Sequence, residues 1–438
     1  MKKLLPYLLI LLLILSGCTD NTVTESVPEP SPEMTEEPSP EPPEKIQSGF
    51  WTYIILEDGS AEITDYSGNE EDLPVPEKLD GLPVTAIGNF AFESVSSIRN
   101  VTIPEGITRI GDEAFAFCYH LTSVTIPDTL TEIGVNPFRD CDKMENIRVS
   151  EEHPYLEMAG GILFSKPDRR LVCYPAYLTK ESCELPEGTR IIGTYAFWGN
   201  LHLRTLILPD GLTDIMDLAF YGFLNLSAVS IPDSVSFVGE SAFSNCRYLQ
   251  EISLPKTLSG FGAHCFSGCD SLTAFVIPDG ITVIPEGAFM HCSGLQSVTV
   301  PESITAIGTN AFSGCESLQE IYIPDGVERI GDWAFEDCHS LTALDLPESV
   351  TEIGNRAFED CKGLTEVAIP SSVVRIGEEA FLRCSALTSV TLPRSVTEIG
   401  GDAFYHCDNL TVTVPLNSYA EKYCRDYKVP YTVQDDPG

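Results

Sequence analysis

Cysteine thiols are the groups in this chain most able to do chemistry, because thiolates form disulfides and bind metals. The sequence has 15 cysteines. Valine, asparagine or phenylalanine fills one recurring cysteine slot elsewhere, at Val95, Asn200 and Phe223, and a disulfide framework would not tolerate that. We therefore predict a column of reduced, buried thiols, since free cysteine packs as a small hydrophobic residue. Ten cysteines share this slot, three residues after a phenylalanine: Cys118, Cys141, Cys246, Cys269, Cys292, Cys315, Cys338, Cys361, Cys384 and Cys407.

Two other cysteines leave an alternative open. Cys173 and Cys183 flank a break in the repeat described below, and they could form a disulfide or remain free thiols. Zinc is not predicted, because there is no Cys-x-x-Cys pair and the possible ligands are not clustered.

The remaining titratable residues form no recognisable catalytic pattern. There is no Gly-x-Ser-x-Gly turn, phosphate-binding loop or His-Glu-x-x-His run. Carboxylates such as Asp332 and the pair Glu378 and Glu379 lie in variable positions, which is typical of a solvated surface. We predict no catalytic residue, no metal site and no cofactor. The seven histidines fall at different places in the repeat: His120, His153, His202, His264, His291, His339 and His406.

The N-terminus predicts an export signal. Lys2 and Lys3 precede an apolar run at residues 4–15, which is shorter than the roughly 20 residues needed to span a bilayer. The run ends in Leu-Ser-Gly at residues 15–17, followed at once by Cys18. This order resembles the bacterial lipoprotein signal, which implies removal of residues 1–17 and a lipid on the Cys18 thiol. The alternative is an ordinary secretory signal with a chance cysteine.

Residues 18–48 are predicted to be a disordered stalk. The segment is rich in proline and glutamate and has little apolar surface to bury. Proline and like charge extend such a chain, to roughly 3.1 Å per residue. The alternative is a proline-rich recognition motif.

A 23-residue period governs the rest of the chain. It predicts a solenoid, because self-similarity at 20 to 50 residues is typical of repeat proteins. One phenylalanine marks each of thirteen units: Phe92, Phe115, Phe138, Phe197, Phe220, Phe243, Phe266, Phe289, Phe312, Phe335, Phe358, Phe381 and Phe404. Prolines keep the same step, except that the interval from Pro127 to Pro186 is longer than two periods.

The unit that contains Phe358 shows what each repeat should form. Leu344 and Leu346 alternate as a strand requires, and Pro347 ends that strand because it lacks an N–H. Residues 349–354 are rich in β-forming residues and close on Gly354, and residues 355–361 suit a helical turn. One unit cannot bury its apolar face alone, so we predict stacked units with a parallel β ladder and short helical turns.

The frame Ile-Gly-x-x-Ala-Phe-x-x-Cys-x-x-Leu-x-x-Val-x-Ile-Pro resembles the BspA-type leucine-rich repeats. The resemblance implies a leucine-rich-repeat solenoid at residues 91–414, a β-hairpin N-terminal cap at 49–90, and a short helical C-terminal cap and tail at 415–438. An insert at about residues 150–185 reads as a β-hairpin, and insertions in solenoids commonly project as loops. The resemblance further implies binding to host proteins and a role in colonisation. The lack of a catalytic pattern predicts that the protein is not an enzyme.

Aromatic side chains supply the candidates for ligand binding, because binding hot spots favour Trp, Tyr and Arg. Tyr195, Trp198 and Tyr221 fall in neighbouring units after the insert, and Tyr322 occupies an outward slot of a predicted strand. The alternative for the first three is that they pack the insert against the solenoid.

The charge narrows the possible partners. The formal net charge is −39, from 65 Asp and Glu against 26 Lys and Arg, which argues against nucleic acid. We favour a lipid-anchored envelope protein, exposed at the surface, that binds an extracellular protein or glycan, with adhesion as its role. The alternatives are an envelope scaffold or capture protein with bacterial partners, and an enzyme with its site in the insert.

Overall fold

The computed structural model describes residues 43–434. Cys18, the predicted signal peptide and most of the predicted stalk lie outside the described residues, as do residues 435–438. Part of the predicted stalk is folded, however, since residues 46–48 form a strand that pairs with residues 51–53.

Two parallel ladders of very short strands run through the repeats. In the unit of Phe358, the three-residue strand Ala343–Asp345 buries Leu344 and turns its other two side chains outward. A two-residue strand, Glu352–Ile353, follows after the proline turn and buries Ile353. Each strand pairs with the equivalent strand of the next unit, as Leu344 does with Val367. Paired residues in both ladders are therefore separated by one repeat period along the sequence, and the predicted solenoid is confirmed.

The strands are numbered in chain order. Before the insert they are β1 Ile46–Ser48, β2 Trp51–Ile55, β3 Ala61–Tyr66, β4 Asp72–Pro74, β5 Lys78–Leu79, β6 Leu82–Ile87, β7 Asn100–Thr102, β8 Arg109–Ile110, β9 Ser123–Thr125, β10 Glu132–Ile133 and β11 Asn146–Arg148. From the insert on they are β12 Leu156–Ala159, β13 Ile162–Ser165, β14 Arg170–Cys173, β15 Ser182–Glu184, β16 Ile191–Ile192, β17 Thr205–Ile207, β18 Asp214–Ile215, β19 Ala228–Ser230, β20 Phe237–Val238, β21 Glu251–Ser253, β22 Gly260–Phe261, β23 Ala274–Val276, β24 Val283–Ile284, β25 Ser297–Thr299, β26 Ala306–Ile307, β27 Arg329–Ile330, β28 Ala343–Asp345, β29 Glu352–Ile353, β30 Glu366–Ala368, β31 Arg375–Ile376, β32 Ser389–Thr391, β33 Glu398–Ile399, β34 Thr411–Pro415 and β35 Tyr431–Gln434.

The segment expected to be a helical turn is a series of tighter turns. Arg356 and Asp360 adopt left-handed backbone angles, with φ of 53° and 55°. The N–H of Glu359 donates to the carbonyl of Arg356 at 3.0 Å, which closes a tight turn with the hydrogen-bond pattern i+3 to i. An α-helix cannot continue through residues with positive φ, so the expected helix does not form.

The repeat phenylalanines form the centre of the core. Consecutive rings stack with centroids 4.7 to 5.8 Å apart, and Phe312 is fully buried between Phe289 and Phe335. At the insert, Tyr174 takes the place of a phenylalanine and stacks on Phe197 at 5.3 Å. This substitution was not predicted, although Tyr174 lies one full repeat period before Phe197.

The cysteine slot is explained by a repeated hydrogen bond. All fourteen cysteines in residues 43–434 are buried free thiols, including Cys173 and Cys183. Each thiol of the recurring slot donates to the carbonyl of the phenylalanine in the preceding unit, over Sγ–O distances of 3.0 to 3.3 Å. Burial raises the pKa of the Cys118 and Cys246 thiols to about 12. The thiol therefore fills a small apolar space and also donates to a backbone carbonyl.

The insert repeats the topology of the N-terminal cap. In the cap, β1, β2 and β3 pair antiparallel in turn, and β3 then pairs parallel with β6 to begin the two-residue ladder. In the insert, β12, β13 and β14 pair antiparallel in turn, and β14 pairs parallel with β16. Instead of projecting as a loop, the insert lies inside the stack as a second cap.

The second cap separates two hydrophobic cores. Leu163 and Val172 pack with the core that precedes the insert. Ile162, Phe164 and Leu171, their neighbours along the same strands, pack with the core that follows it. Because adjacent side chains of a strand point to opposite faces, this small sheet closes one solenoid segment and opens the next.

The C-terminal cap contains the one helix that the structure describes, α1, Tyr419–Tyr427. Ser418 caps its N-terminus, with its hydroxyl accepting from the N–H of Glu421 at 3.1 Å. Tyr423 and Cys424 cover the end of the core, and β35 adds a last strand beside β34. No helix within residues 43–434 is long and apolar enough to cross a membrane.

Truncating one ring of the stack tests its importance. We expect Phe312→Ala to lower the free energy of unfolding by about 3–5 kcal/mol, because it opens a cavity between two rings that cannot close up. Urea denaturation followed by circular dichroism measures the loss. Tyr248→Ala, at an exposed aromatic, is the control and should change stability by less than about 0.5 kcal/mol. Equal effects of the two substitutions would contradict the assignment of the stack as the core.

The second cap predicts an independently folding segment. Residues 151–438 retain β12 to β14 and should give the circular dichroism spectrum and cooperative thermal unfolding of a solenoid. Residues 187–438 lack that cap, expose the ring of Phe197 and should aggregate or remain unfolded, since terminal repeats need a cover. If both fragments fold equally well, the insert is not a cap.

Candidate functional site

Tyr195, Trp198 and Tyr221 do meet in space. They occupy the turns of neighbouring units, where the rings of Trp198 and Tyr221 stack at 4.9 Å and Tyr195 meets Trp198 edge-on at 5.4 Å. All three side chains are half-buried.

Arg139, on the other side of the insert, holds this ring cluster. Its guanidinium carbon lies 4.9 Å from the Tyr195 ring centroid and 5.2 Å from that of Trp198, and it also contacts Phe117 at 4.4 Å. Such cation–π contacts contribute about 0.5–2 kcal/mol each, depending on desolvation. Arg139 was not among the predicted binding residues, because nothing in the sequence shows that the two segments meet across the insert.

A nearly buried ion pair fixes the guanidinium. Arg139 Nε donates to Glu113 Oε2 at 2.6 Å, and the two side chains are 13% and 11% exposed. Burial raises the pKa of Glu113, and the charge of Arg139 offsets part of that increase. The amide of Asn136 also crosses the insert, donating to the carbonyl of Tyr195 at 2.8 Å. These contacts give the three rings a packing role between the two segments, and ligand binding by them stays a prediction.

Tyr322 lies in a different environment, on the outward face of the three-residue ladder. Its side chain is 54% exposed, and its hydroxyl donates to Glu302 Oε1 at 3.0 Å. That hydrogen bond, followed by partial desolvation and the charges of Glu302 and Asp325, raises the pKa of the phenol. The ring is therefore held in place by its hydroxyl and presented to solvent by its outward position between the buried residues Ile321 and Ile323.

The ladder is interrupted at Tyr322. Residues 320–322 carry the same pattern as paired strands, but β25 and β28 on either side are not bridged through them, while the two-residue ladder continues beside them from β26 to β29. The outward face opens there into a groove of about 640 Å³. A second hollow of about 280 Å³ continues it over β30 and β32. We call this surface, from residues 297 to 391, the acidic groove. Its polar lining includes Ser297, Thr299, Glu320, Tyr322, Asp325, Asp345 and Glu366.

Uncompensated negative charge distinguishes the acidic groove. Its lining holds no Lys, Arg or His, and among residues 43–434 none of Glu320, Asp345 and Glu366 takes part in an ion pair. The outward column of the two-residue ladder is different, because Arg375 bonds both Glu352 at 2.6 Å and Glu398 at 3.1 Å. Ion pairs thus neutralise charge along the outward column of the two-residue ladder, whereas the carboxylates of the acidic groove are left without such partners.

The rest of the chemistry in the described part of the chain is structural. His153 is fully buried, with Nε2 2.9 Å from the carbonyl of Pro127 and Nδ1 accepting from the N–H of Leu156 at 3.0 Å. This pattern requires a neutral ring with its proton on Nε2. Over residues 43–434, no group of three or more His, Cys, Asp or Glu side chains is placed to hold a metal ion.

Comparisons with known proteins agree with this fold. A family model described as a BspA type leucine rich repeat region matches residues 81–164, 173–296 and 282–411, in six copies. A leucine rich cell surface protein from Faecalibacterium prausnitzii is similar in structure, with a TM-score of 0.50 at 24% identity, covering 88% of this chain and 98% of that one. A leucine-rich repeat protein from Eubacterium ventriosum gives a TM-score of 0.51 at 21% identity, covering 68% and 95%. No curated protein matches the sequence.

The buried ion pair at the insert is open to a direct test. Arg139→Met should lower the free energy of unfolding by about 2–3 kcal/mol, because Glu113 loses its partner while remaining largely buried. Urea denaturation of the single variants and of Glu113→Gln/Arg139→Met measures the coupling. We expect the double variant to be more stable than Arg139→Met alone. Additive losses would show that the two side chains do not depend on each other.

Proposed function

Because this chain belongs to the BspA-type leucine-rich repeat family, we propose that it is a binding protein of the bacterial cell envelope. It presents its solenoid at the cell surface, where the outward face of the three-residue ladder takes an extracellular protein or glycan. Adhesion to host or other cells is the role that follows from surface display.

The observation that carries this proposal is the acidic groove with Tyr322. An exposed aromatic ring and a row of hydroxyl and carboxylate groups lie on the outward face of neighbouring units, whose packed core fixes their positions. Rigid presentation favours binding, since little conformational freedom is lost when a partner docks. Catalysis would need convergent groups with a matched acid and base, and the groove offers carboxylates spread over several units instead.

The N-terminal sequence supports the location. The signal-like residues 1–17, followed by Cys18, would place a lipid at the new N-terminus, and two or more acyl chains anchor a protein stably where one does not. The Pro- and Glu-rich segment after Cys18 would hold the solenoid away from the membrane, and its charge would oppose collapse onto an anionic surface.

Removing the lipid site tests display at the surface. On intact cells, added protease should degrade the solenoid of the wild type, and Cys18→Ala should release the protein into the medium because the anchor is lost. Immunoblots of the cell and medium fractions with an antibody to residues 44–438 measure both effects. Cys18→Ser, which also cannot form the thioether, should behave as Cys18→Ala does.

Protection of the wild-type solenoid until the envelope is opened would contradict surface display. The best remaining function would then be an envelope scaffold or capture protein with bacterial partners. A soluble fragment of residues 44–438, screened against matrix proteins, glycans and intact bacteria, tests binding separately, and absence of any saturable binding would count against the proposal.

A further inference from the structure

We infer that the acidic groove receives an extended polypeptide segment rich in lysine and arginine. This inference rests on the proposed binding function and names the class of partner. The argument depends on the charge of the groove, on the position of Tyr322 and on the length of the surface.

Charge gives the first argument. Glu320, Asp345 and Glu366 project from consecutive units without an ion-pair partner among the described residues, and Glu302 and Asp325 lie at the margin beside Tyr322. Like charges held in a row repel one another, and a cationic partner would relieve that repulsion as it binds. A polyanion such as nucleic acid or an acidic glycan would be repelled by the same surface.

The absence of basic residues extends along the face. From β15 to β34, the two outward positions of each three-residue strand contain no lysine or arginine. The first outward positions are Ser182, Thr205, Ala228, Glu251, Ala274, Ser297, Glu320, Ala343, Glu366, Ser389 and Thr411. The second are Glu184, Ile207, Ser230, Ser253, Val276, Thr299, Tyr322, Asp345, Ala368, Thr391 and Thr413. A basic segment would therefore meet no positive charge at these outward positions that could repel it.

Tyr322 gives the second argument. Its ring stands at the centre of the wider hollow, and its hydroxyl is held by Glu302. An arginine or lysine side chain over the exposed ring would gain a cation–π contact, with carboxylates on either side to bond its N–H groups. Arginine suits this site best, since its planar guanidinium can stack on the ring and bond a carboxylate at the same time.

The dimensions favour an extended segment. Five units, from Ser297 to Ser389, contribute to the groove. Neighbouring strands lie about 4.8 Å apart, so the groove is roughly 19 Å long, and it accommodates about six residues of extended chain at about 3.3 Å each. The interruption at residues 320–322 widens the groove beside Tyr322, where an arginine side chain of the bound segment would insert.

A defined peptide tests the inference. The probe is a fluorescein-labelled decapeptide of alternating arginine and serine, titrated with residues 44–438, which form one compact unit. Fluorescence anisotropy at 150 mM salt measures the dissociation constant. We expect saturable binding that weakens as salt is raised, and none with a matched decapeptide of glutamate and serine.

Two sets of substitutions with the same change in charge locate the site. Glu320→Gln/Asp345→Asn/Glu366→Gln removes three charges from the groove and should weaken binding about tenfold or more. Glu184→Gln/Asp210→Asn/Glu251→Gln removes three exposed charges from earlier units and should change it less than about twofold. Tyr322→Ala should weaken binding about two- to fivefold, and Tyr322→Phe should leave it nearly unchanged because the ring remains.

The outcomes separate this inference from the proposed function. Equal weakening by the two triple variants would show general attraction to a strongly acidic protein and would overturn the groove as the site. If the arginine peptide fails to bind while the fragment captures a neutral glycan or an acidic protein in the ligand screen, the partner class is wrong and the binding function stands. Failure of both the peptide and the screen would reject the two together.

Discussion

The structure depends on one constraint, which is that a single repeat unit cannot bury its own apolar face. Each phenylalanine ring stacks on the rings of the units before and after it, so every unit must follow its neighbour in the same register. Close contact enforces that register, since a Cβ added to Gly354 would lie 2.6 Å from the carbonyl carbon of Gly331 in the preceding unit. The cysteine thiols repeat the same relation, because each bonds a carbonyl of the unit before it.

Since the inward positions are occupied by this packing, variation is left to the outward ones. The two faces use that freedom differently. On the two-residue ladder, Arg329, Glu352, Arg375 and Glu398 alternate in sign and form ion pairs along the column. On the three-residue ladder after the insert, from β15 to β34, the outward positions carry acidic, hydroxyl and apolar side chains and no lysine or arginine. A surface that only had to be soluble could carry either pattern, and the selective absence of positive charge on one face is what suggests a partner for that face.

The sequence predicts what repeats and misses what occurs once. The regular step of the repeat is enough to predict the ladders and the buried rings, because each depends on a local pattern seen many times. The helical turns were expected because Ala-Phe-x-x-Cys suits a helix. In the unit of Phe358 the left-handed residues that prevent one, Arg356 and Asp360, are not glycines, although Gly287 and Gly314 fill the equivalent positions in other units. Arg139 and Tyr195 meet across an insert, so no periodicity links them. Residues 320–322 have the same pattern as paired strands, and their unpaired backbone is visible only in three dimensions.

The second cap divides the solenoid into two segments, because each unit is stabilised by its nearest neighbours. In a stack, stability passes only between adjacent units, so a sheet whose two faces belong to different cores limits how far a disturbance spreads. The segment before the insert joins the predicted stalk, and the acidic groove lies entirely in the segment after it. The second cap, which packs against both cores, couples the two segments, together with Arg139, Asn136 and the ring cluster of Tyr195 and Trp198. Opening of the N-terminal segment would therefore reach the groove through the cap and these contacts. Because the groove lies on separately capped units, we expect it to keep its shape when the units before the insert open.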